Sequence, residues 1–172
     1  MDLDDIAVRL REFRDAEDHT DDVRWQRALI EDIYAAAPRL SGELQQFAAD
    51  ALWFLAGFDS VPIDERLRAA LIVLAQSENE GAAVTSLALL LFEFDDSRGI
   101  ARLRRAIGDH ENPGSADAAT ALTKAAKRGN AAAAAAVRHA LGSTAIDGVV
   151  YDALIHQLTE ITPNGDEDDG DV

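Results

Sequence analysis

Histidine is the side chain best suited to proton transfer near neutral pH and to metal ligation. This chain has four: His19, His110, His139 and His156. They are scattered singly, and none pairs with another at ligand spacing, whereas a zinc site wants several convergent ligands. Solvated histidines are the expectation. There is no cysteine, which excludes disulfides and thiolate metal sites. No glycine-rich phosphate loop is present, and no serine or threonine sits in a nucleophile motif. The acidic tail Asp166–Asp171 lacks the loop with a closing glutamate that calcium requires. Paired acids occur at Asp4–Asp5, Asp21–Asp22 and Asp95–Asp96, but on a chain with 32 acids against 16 bases such pairs carry no catalytic information. The residues therefore predict a protein that is not an enzyme and holds no cofactor or metal.

One charged pattern is less bland. Arg68, Arg104 and Arg138 recur at intervals of 36 and 34 residues, and Arg66 and Arg102 run parallel two residues earlier. If the intervening elements repeat, these arginines stack into a ladder along one face. Such a ladder could receive acidic side chains of a partner through bidentate Arg–carboxylate bonds. It could equally be internal, with each arginine tied to an acid of its own turn; Asp96 to Arg102 has the spacing for that, and Ser60 to Arg66 keeps only the base. Both readings stand at this level.

The elements that would position these residues are helices. Apolar residues recur at helical spacing almost throughout, and β-branched residues never alternate over a useful length. Ile6, Val8, Leu10 and Phe13 predict a helix over about 2–17. A second starts at an Asp21–Asp22 cap and stops near Pro38. A third runs from Ser41 and Glu43 to Gly57, and a fourth carries Leu67, Ala70, Leu71 and Leu74, with Pro62 placed in its tolerant first turn. A fifth covers about 80–93 and a sixth runs from near Ser97 to about His110. Helices seven to nine are expected near 115–128, 130–141 and 146–160. The last residues, 162–172, contain PNGDEDDGDV and are expected to be a disordered acidic tail. Residues 1–161 then form a single domain, a usual length for one.

Within that succession lies a repeat. Phe47–Leu71 laid over Ala82–Ile107 at a shift of 36 pairs Leu55 with Leu91, Phe58 with Phe94, Asp59 with Asp95, Leu67 with Leu103 and Leu71 with Ile107. At a shift of 34, Leu103 meets Val137, Ala106 meets Ala140, and Ile107 meets Leu141. Each copy is a helix, a short polar turn and a second helix. The expected core is Leu55, Leu67, Leu71, Leu91, Leu103, Ile107, Leu122, Val137 and Leu141. The pattern, carried best by LALLLFEFDDSRGIARLRRAIGDH (Leu87–His110), resembles the HEAT repeat and the bacterial lyase-type HEAT-like repeats. The resemblance covers about Phe47 to Gly142. It implies an all-α fold, a short right-handed α-solenoid of helix pairs with capping helices at its ends; an irregular helical bundle is the rival.

Net charge narrows the partners. At −16, the surface opposes nucleic acid and anionic membranes, both of which are held by Lys and Arg. Only Lys124 and Lys127 are lysines, and aspartates outnumber glutamates 21 to 11. Such acidity fits a basic protein partner, a high-salt cytoplasm or a GC-rich genome alike. The opening MDLDDIAVRL carries acids where a secretory signal carries bases, and no apolar run approaches the length of a bilayer span, so a cytoplasmic location is expected.

The leading expectation is a protein-binding module, specifically an immunity protein that blocks a basic cognate toxin, because charge complementarity speeds such capture. Its contacts are expected on the second helices and adjoining turns, the concave side of a HEAT-like stack: Asp59, Asp64, Glu65, Asp95, Asp96 and Asp109 against a basic surface, with Arg68, Arg104 and Arg105 meeting the partner's acids. Two alternatives remain. The resemblance admits a lyase-type enzyme or accessory; HEAT-like DNA glycosylases need a basic groove that this charge opposes. A structural scaffold of a salt-adapted cytoplasm is the other.

Overall fold

A computed structural model describes residues 2–15, 22–57, 61–109 and 111–142. Among them are eight α-helices and no strand: α1 (Leu3–Asp15), α2 (Val23–Ala36), α3 (Glu43–Gly57), α4 (Glu65–Leu74), α5 (Glu80–Phe94), α6 (Ile100–Ile107), α7 (Ser115–Lys127) and α8 (Ala131–Leu141). Short 3-10 turns at Ala37–Arg39 and Ser97–Gly99 follow α2 and lead into α6. The all-α class expected from the periodicity is therefore the class observed. The ninth helix and the tail lie outside the described residues. No helix among those described is long and apolar enough to cross a membrane.

Polar turn residues start these helices by satisfying the N–H groups that a first turn leaves open. Asp22 accepts from the backbone N–H of Arg24 and Trp25 at 2.9 and 3.0 Å, and Asp64 does the same for Arg66 and Leu67. Asn79 and Asn130 each accept one such bond, from Ala82 and Ala133 at 3.0 Å. Asp64 corrects the expected start of α4: Pro62 stands two residues before the cap, outside the first turn, because an aspartate carboxylate reaches the open N–H groups and proline cannot. α5 ends at Asp95, whose backbone is left-handed (φ 52°, ψ 32°), a conformation that Asp tolerates better than most residues. Asp96 then caps the 3-10 turn, accepting from Arg98 N at 3.2 Å.

The helices are layered by turn. α1 packs on α3, α3 on α5 and α5 on α7; on the other side α2 meets α4, and α6 meets α8. α4 and α6 each also pack on the odd-numbered helix that follows them. α6 shows why a short helix suffices: Ile100, Leu103, Ala106 and Ile107 form one buried stripe, while Arg104 and Arg105 face out. Hydrogen bonds stitch neighbouring hairpins at separations of 32 to 37 residues: Ser77 Oγ to Gln45, Asn79 Nδ2 to the Gly42 carbonyl, Asn130 Nδ2 to Ser97, and Arg128 Nη1 to the Phe92 carbonyl.

α5 is the centre of the molecule. Residues 81–86 and 88–91 are all buried, so this helix is apolar or small around its whole circumference, as a helix walled on every side must be. Contact with α3 and α7 is close. A Cβ at Gly81 would stand 2.1 Å from Gln46 Oε1 and 2.5 Å from Pro113 Cγ, and one at Gly114 would meet Val84 Cγ1 at 2.8 Å. Glycine at both positions lets α3 and the start of α7 approach over α5.

Eight of the nine expected core residues are buried: Leu55, Leu67, Leu71, Leu91, Leu103 and Leu122 completely, Ile107 and Val137 almost so. Leu141 is the exception. It stands at the C-terminal end of α8 and is only partly buried, packing against the edge of the core around α6 to α8.

Candidate functional site

The sequence-predicted contact residues fall into two groups at opposite ends of the second helices. At the N-terminal end, Arg68 Nη1 donates to Glu65 Oε1 at 3.3 Å, and its other amino group lies 3.8 Å from Asp96 Oδ2. Its guanidinium also stands 6.0 Å from the centre of the Phe94 ring. Arg68 thus joins α4 to the α5–α6 turn. Asp96 is bound further by Arg98, whose Nε donates to it at 2.8 Å, and this hydrogen bond holds its carboxyl below the usual range. Asp95 is exposed beside it, and Asp64 is spent on the α4 cap. At the other end, Arg104, Arg105 and Asp109 are exposed; α6 separates the groups by about 12 Å. Asp59 lies outside the described residues.

The suggested Asp96–Arg102 tie is not made. Arg102 instead binds Glu80 through two hydrogen bonds, one of them Nε to Oε1 at 3.0 Å, and donates to the Ala75 carbonyl at 3.2 Å. The reason is local: Asp96 faces its own 3-10 turn as a cap and is already held by Arg98. The hydrogen bond from Arg102 lowers the pKa of Glu80. Arg66 likewise reaches back to Glu31 of α2, with Nη1 to Oε1 at 3.0 Å, and lies 5.1 Å above the Tyr34 ring. Of the ladder, Arg68 is engaged internally, whereas Arg104 and Arg138 are exposed.

Between successive second helices the surface is grooved. The α2–α4 groove, about 410 Å³, has an apolar floor that includes Ala37, Ala70 and Val73, with Glu31 and Arg66 on its rim. The α4–α6 groove, about 280 Å³, is floored by Ile72 of α4 and by Leu87 and Leu90 of α5, and rimmed by Asp96, Arg98 and Arg102. Floor and rim differ sharply in polarity, so each groove can hold an apolar side chain while its edge sorts charges.

A third cavity, about 390 Å³, lies among the odd-numbered helices and was not expected. α1 gives Phe13 and Arg14, α3 gives Phe47, Asp50, Trp53 and Phe54, and the start of α7 gives Pro113 and Asp117. The rings brace one another: Phe13 meets Phe54 edge-on at 5.8 Å, and Trp53 leans on Phe92 at 5.5 Å. Asp117 Oδ2 accepts from Thr85 Oγ1 at 2.9 Å, and Asp50 Oδ1 accepts from Gln46 Nε2 at 2.6 Å. Burial pushes the Asp117 carboxyl up to about 6, with the nearby charge of Asp50 adding to the effect. Asp50 is exposed at the edge of the cleft, and the protein packed around it raises its carboxyl as well. Arg14 stands at the mouth with its guanidinium 4.7 Å from the centre of the Phe47 ring, paired outward with Asp15 at 2.7 Å.

Sequence reasoning missed this cleft because its acids looked like any others on an acidic chain. One signal was present: in FAADALWF, Asp50 lies on the side of α3 that carries Phe47 and Phe54. Among the described residues no group of three or more histidines and acids is placed to hold a metal ion; His139 is exposed on α8, and the other three histidines lie outside the described residues.

No family model, no curated protein and no solved structure matches this chain.

Proposed function

We propose that this chain is a protein-binding module of the α-solenoid type, similar in plan to HEAT-like repeats, which docks a basic protein partner on its second-helix face in the manner of an immunity protein. The observation that carries the reading is the pair of grooves on that face, each with an apolar floor and a charged rim, on a molecule of net charge −16. Such an arrangement divides the labour of recognition. Apolar anchors fill the floors and supply affinity. Acids around them steer a basic surface into place and accelerate encounter. The hairpin-to-hairpin hydrogen bonds support the solenoid reading, since they join residues about one repeat apart and keep neighbouring grooves in a fixed relation.

The test needs a partner, identified by affinity capture and mass spectrometry and then purified. Asp96 and Asp64 are unsuitable for charge changes because both are structural caps. Glu65 and Asp95 are exposed and free of that duty. A Glu65→Lys, Asp95→Asn variant is compared with an Asp4→Lys, Asp5→Asn variant, which makes the same change of charge on α1. The first is expected to slow association by about tenfold at low salt and to flatten its salt dependence, and the second to have little effect. Equal effects would reveal a diffuse field with no docking face. A partner that binds both variants as tightly as the parent chain would retire the proposal.

A further inference from the structure

We propose that the cleft walled by Phe13, Phe47, Trp53 and Phe54 is a binding site for a guanidinium group, with Asp50 and Asp117 as its carboxylate partners. The proposal stands apart from the docking of a partner on the second-helix face, because the cleft is built by the odd-numbered helices.

Three observations converge. First, the two carboxylates line one cavity and neither makes an ion pair among the described residues; each has only a neutral hydrogen-bond donor, Thr85 or Gln46. Asp117 is half-buried and Asp50 stands exposed at the edge of the cleft, and covering a carboxylate even in part without a counter-charge is costly. Two of them in one partly covered cavity make an arrangement that a cation would relieve. Secondly, most of the remaining lining is aromatic, with Pro113 and Arg14 completing it. Ring faces attract cations, and a guanidinium suits such a place better than an ammonium, being flat, weakly hydrated and able to stack on a ring while its edges donate to carboxylates. Thirdly, the protein itself shows that this chemistry works here: Arg14 lays its guanidinium on Phe47 at the mouth, held outward by Asp15 and bonded to neither inner carboxylate. Cations over rings recur nearby, with Lys124 on Phe92 and Arg9 on Trp25. The volume of about 390 Å³ is ample for a guanidinium and the alkyl stem that bears it.

The experiment uses the full chain and follows the Trp53 indole N–H by NMR, assigned with a Trp25→Phe variant that leaves Trp53 as the sole tryptophan. Nα-acetyl-arginine methylamide is expected to shift that signal saturably in the millimolar range. The citrulline analogue, equal in shape but neutral, should leave it in place. An Asp50→Asn, Asp117→Asn variant is expected to bind on the order of tenfold more weakly or worse, the loss of charge-assisted hydrogen bonds. It should fold, since both amides keep an acceptor for the existing donors. Arg14→Ala removes a like charge from the mouth and is expected to tighten binding several-fold. Agmatine and an arginine-containing hexapeptide distinguish the source: equal affinity marks a site for a free guanidino compound, tighter peptide binding a polypeptide arginine, and either upholds the site. Equal shifts with the citrulline analogue, unaltered binding in the double variant, or no saturable shift with any guanidinium would overturn it.

Discussion

Replacing Leu103 by alanine is expected to lower the free energy of unfolding by about 2–5 kcal/mol. Leu103 is completely buried in the middle of α6 and belongs to a core shared with α5, α7 and α8. That core is rich in alanine: Ala88, Ala118, Ala121, Ala125, Ala133 and Ala136 are all buried in it. Alanines have no rotamers with which to fill a hole, so the void left by an isobutyl group should persist, and a persistent void sets the larger penalty. Urea unfolding should show a lower midpoint with an unchanged slope. A loss under about 1 kcal/mol would place Leu103 at a site able to collapse or exposed to solvent. Leu67, its counterpart 36 residues earlier, is equally buried and should respond alike.

Changing Asp117 to Asn is expected to stabilise the protein near neutral pH by as much as about 2–3 kcal/mol, with the gain fading in acid. Burial raises this carboxyl from the ordinary 3.8 to about 6. The folded state therefore holds the Asp117 proton more tightly than the unfolded state. Above about 6 the ionised group destabilises the fold by its full amount. As pH falls through about 6 toward 3.8, the folded state takes up the proton first and the penalty disappears. The groups facing Asp117 around the cleft are Thr85 of α5, Asp50 of α3 and Arg14 of α1. Residual solvent contact makes the figure an upper bound. Elsewhere the sign reverses: the carboxyls of Asp96 and Glu80 are held low by Arg98 and Arg102, so their stabilisation is lost in acid. Measuring parent and variant side by side, by urea unfolding at about pH 7 and about pH 4.5, cancels those terms. A variant no more stable than its parent at the higher pH would show that Asp117 is well solvated or neutralised by a cation.

The helices were legible because each carries its own evidence. The stripe of Ile100, Leu103 and Ile107 buries one side of α6 whatever lies opposite, and the caps at Asp22, Asn79 and Asn130 act within three residues of themselves. The repeat made the core residues of the central hairpins predictable in register, from Leu55 and Leu91 to Leu67 and Leu103. Ion pairing was less legible. Asp96 and Arg102 have a plausible spacing, but which acid an arginine meets depends on the neighbouring hairpin, and Arg102 chose Glu80, 22 residues earlier. The aromatic cleft was the least legible feature. Phe13, Asp50 and Asp117 belong to three helices, and the last two line one cavity where α3 and the start of α7 pack closely over α5 at Gly81 and Gly114. Apart from the place of Asp50 beside Phe47 and Phe54 on α3, nothing local to the three announces that meeting.

The burial of α5 has a consequence for cooperativity. Its Ala82, Leu89 and Leu90 belong to the core formed with α1 to α4, while Val84, Ala88 and Leu91 belong to the core formed with α6 to α8. Melting either half would strip one side of this helix bare, and an isolated helix with an exposed apolar side has little stability of its own in water. The two halves therefore share a fate. What could have been a chain of independent hairpins is tied, among the described residues, through one helix with two allegiances, so that its two halves are expected to unfold together.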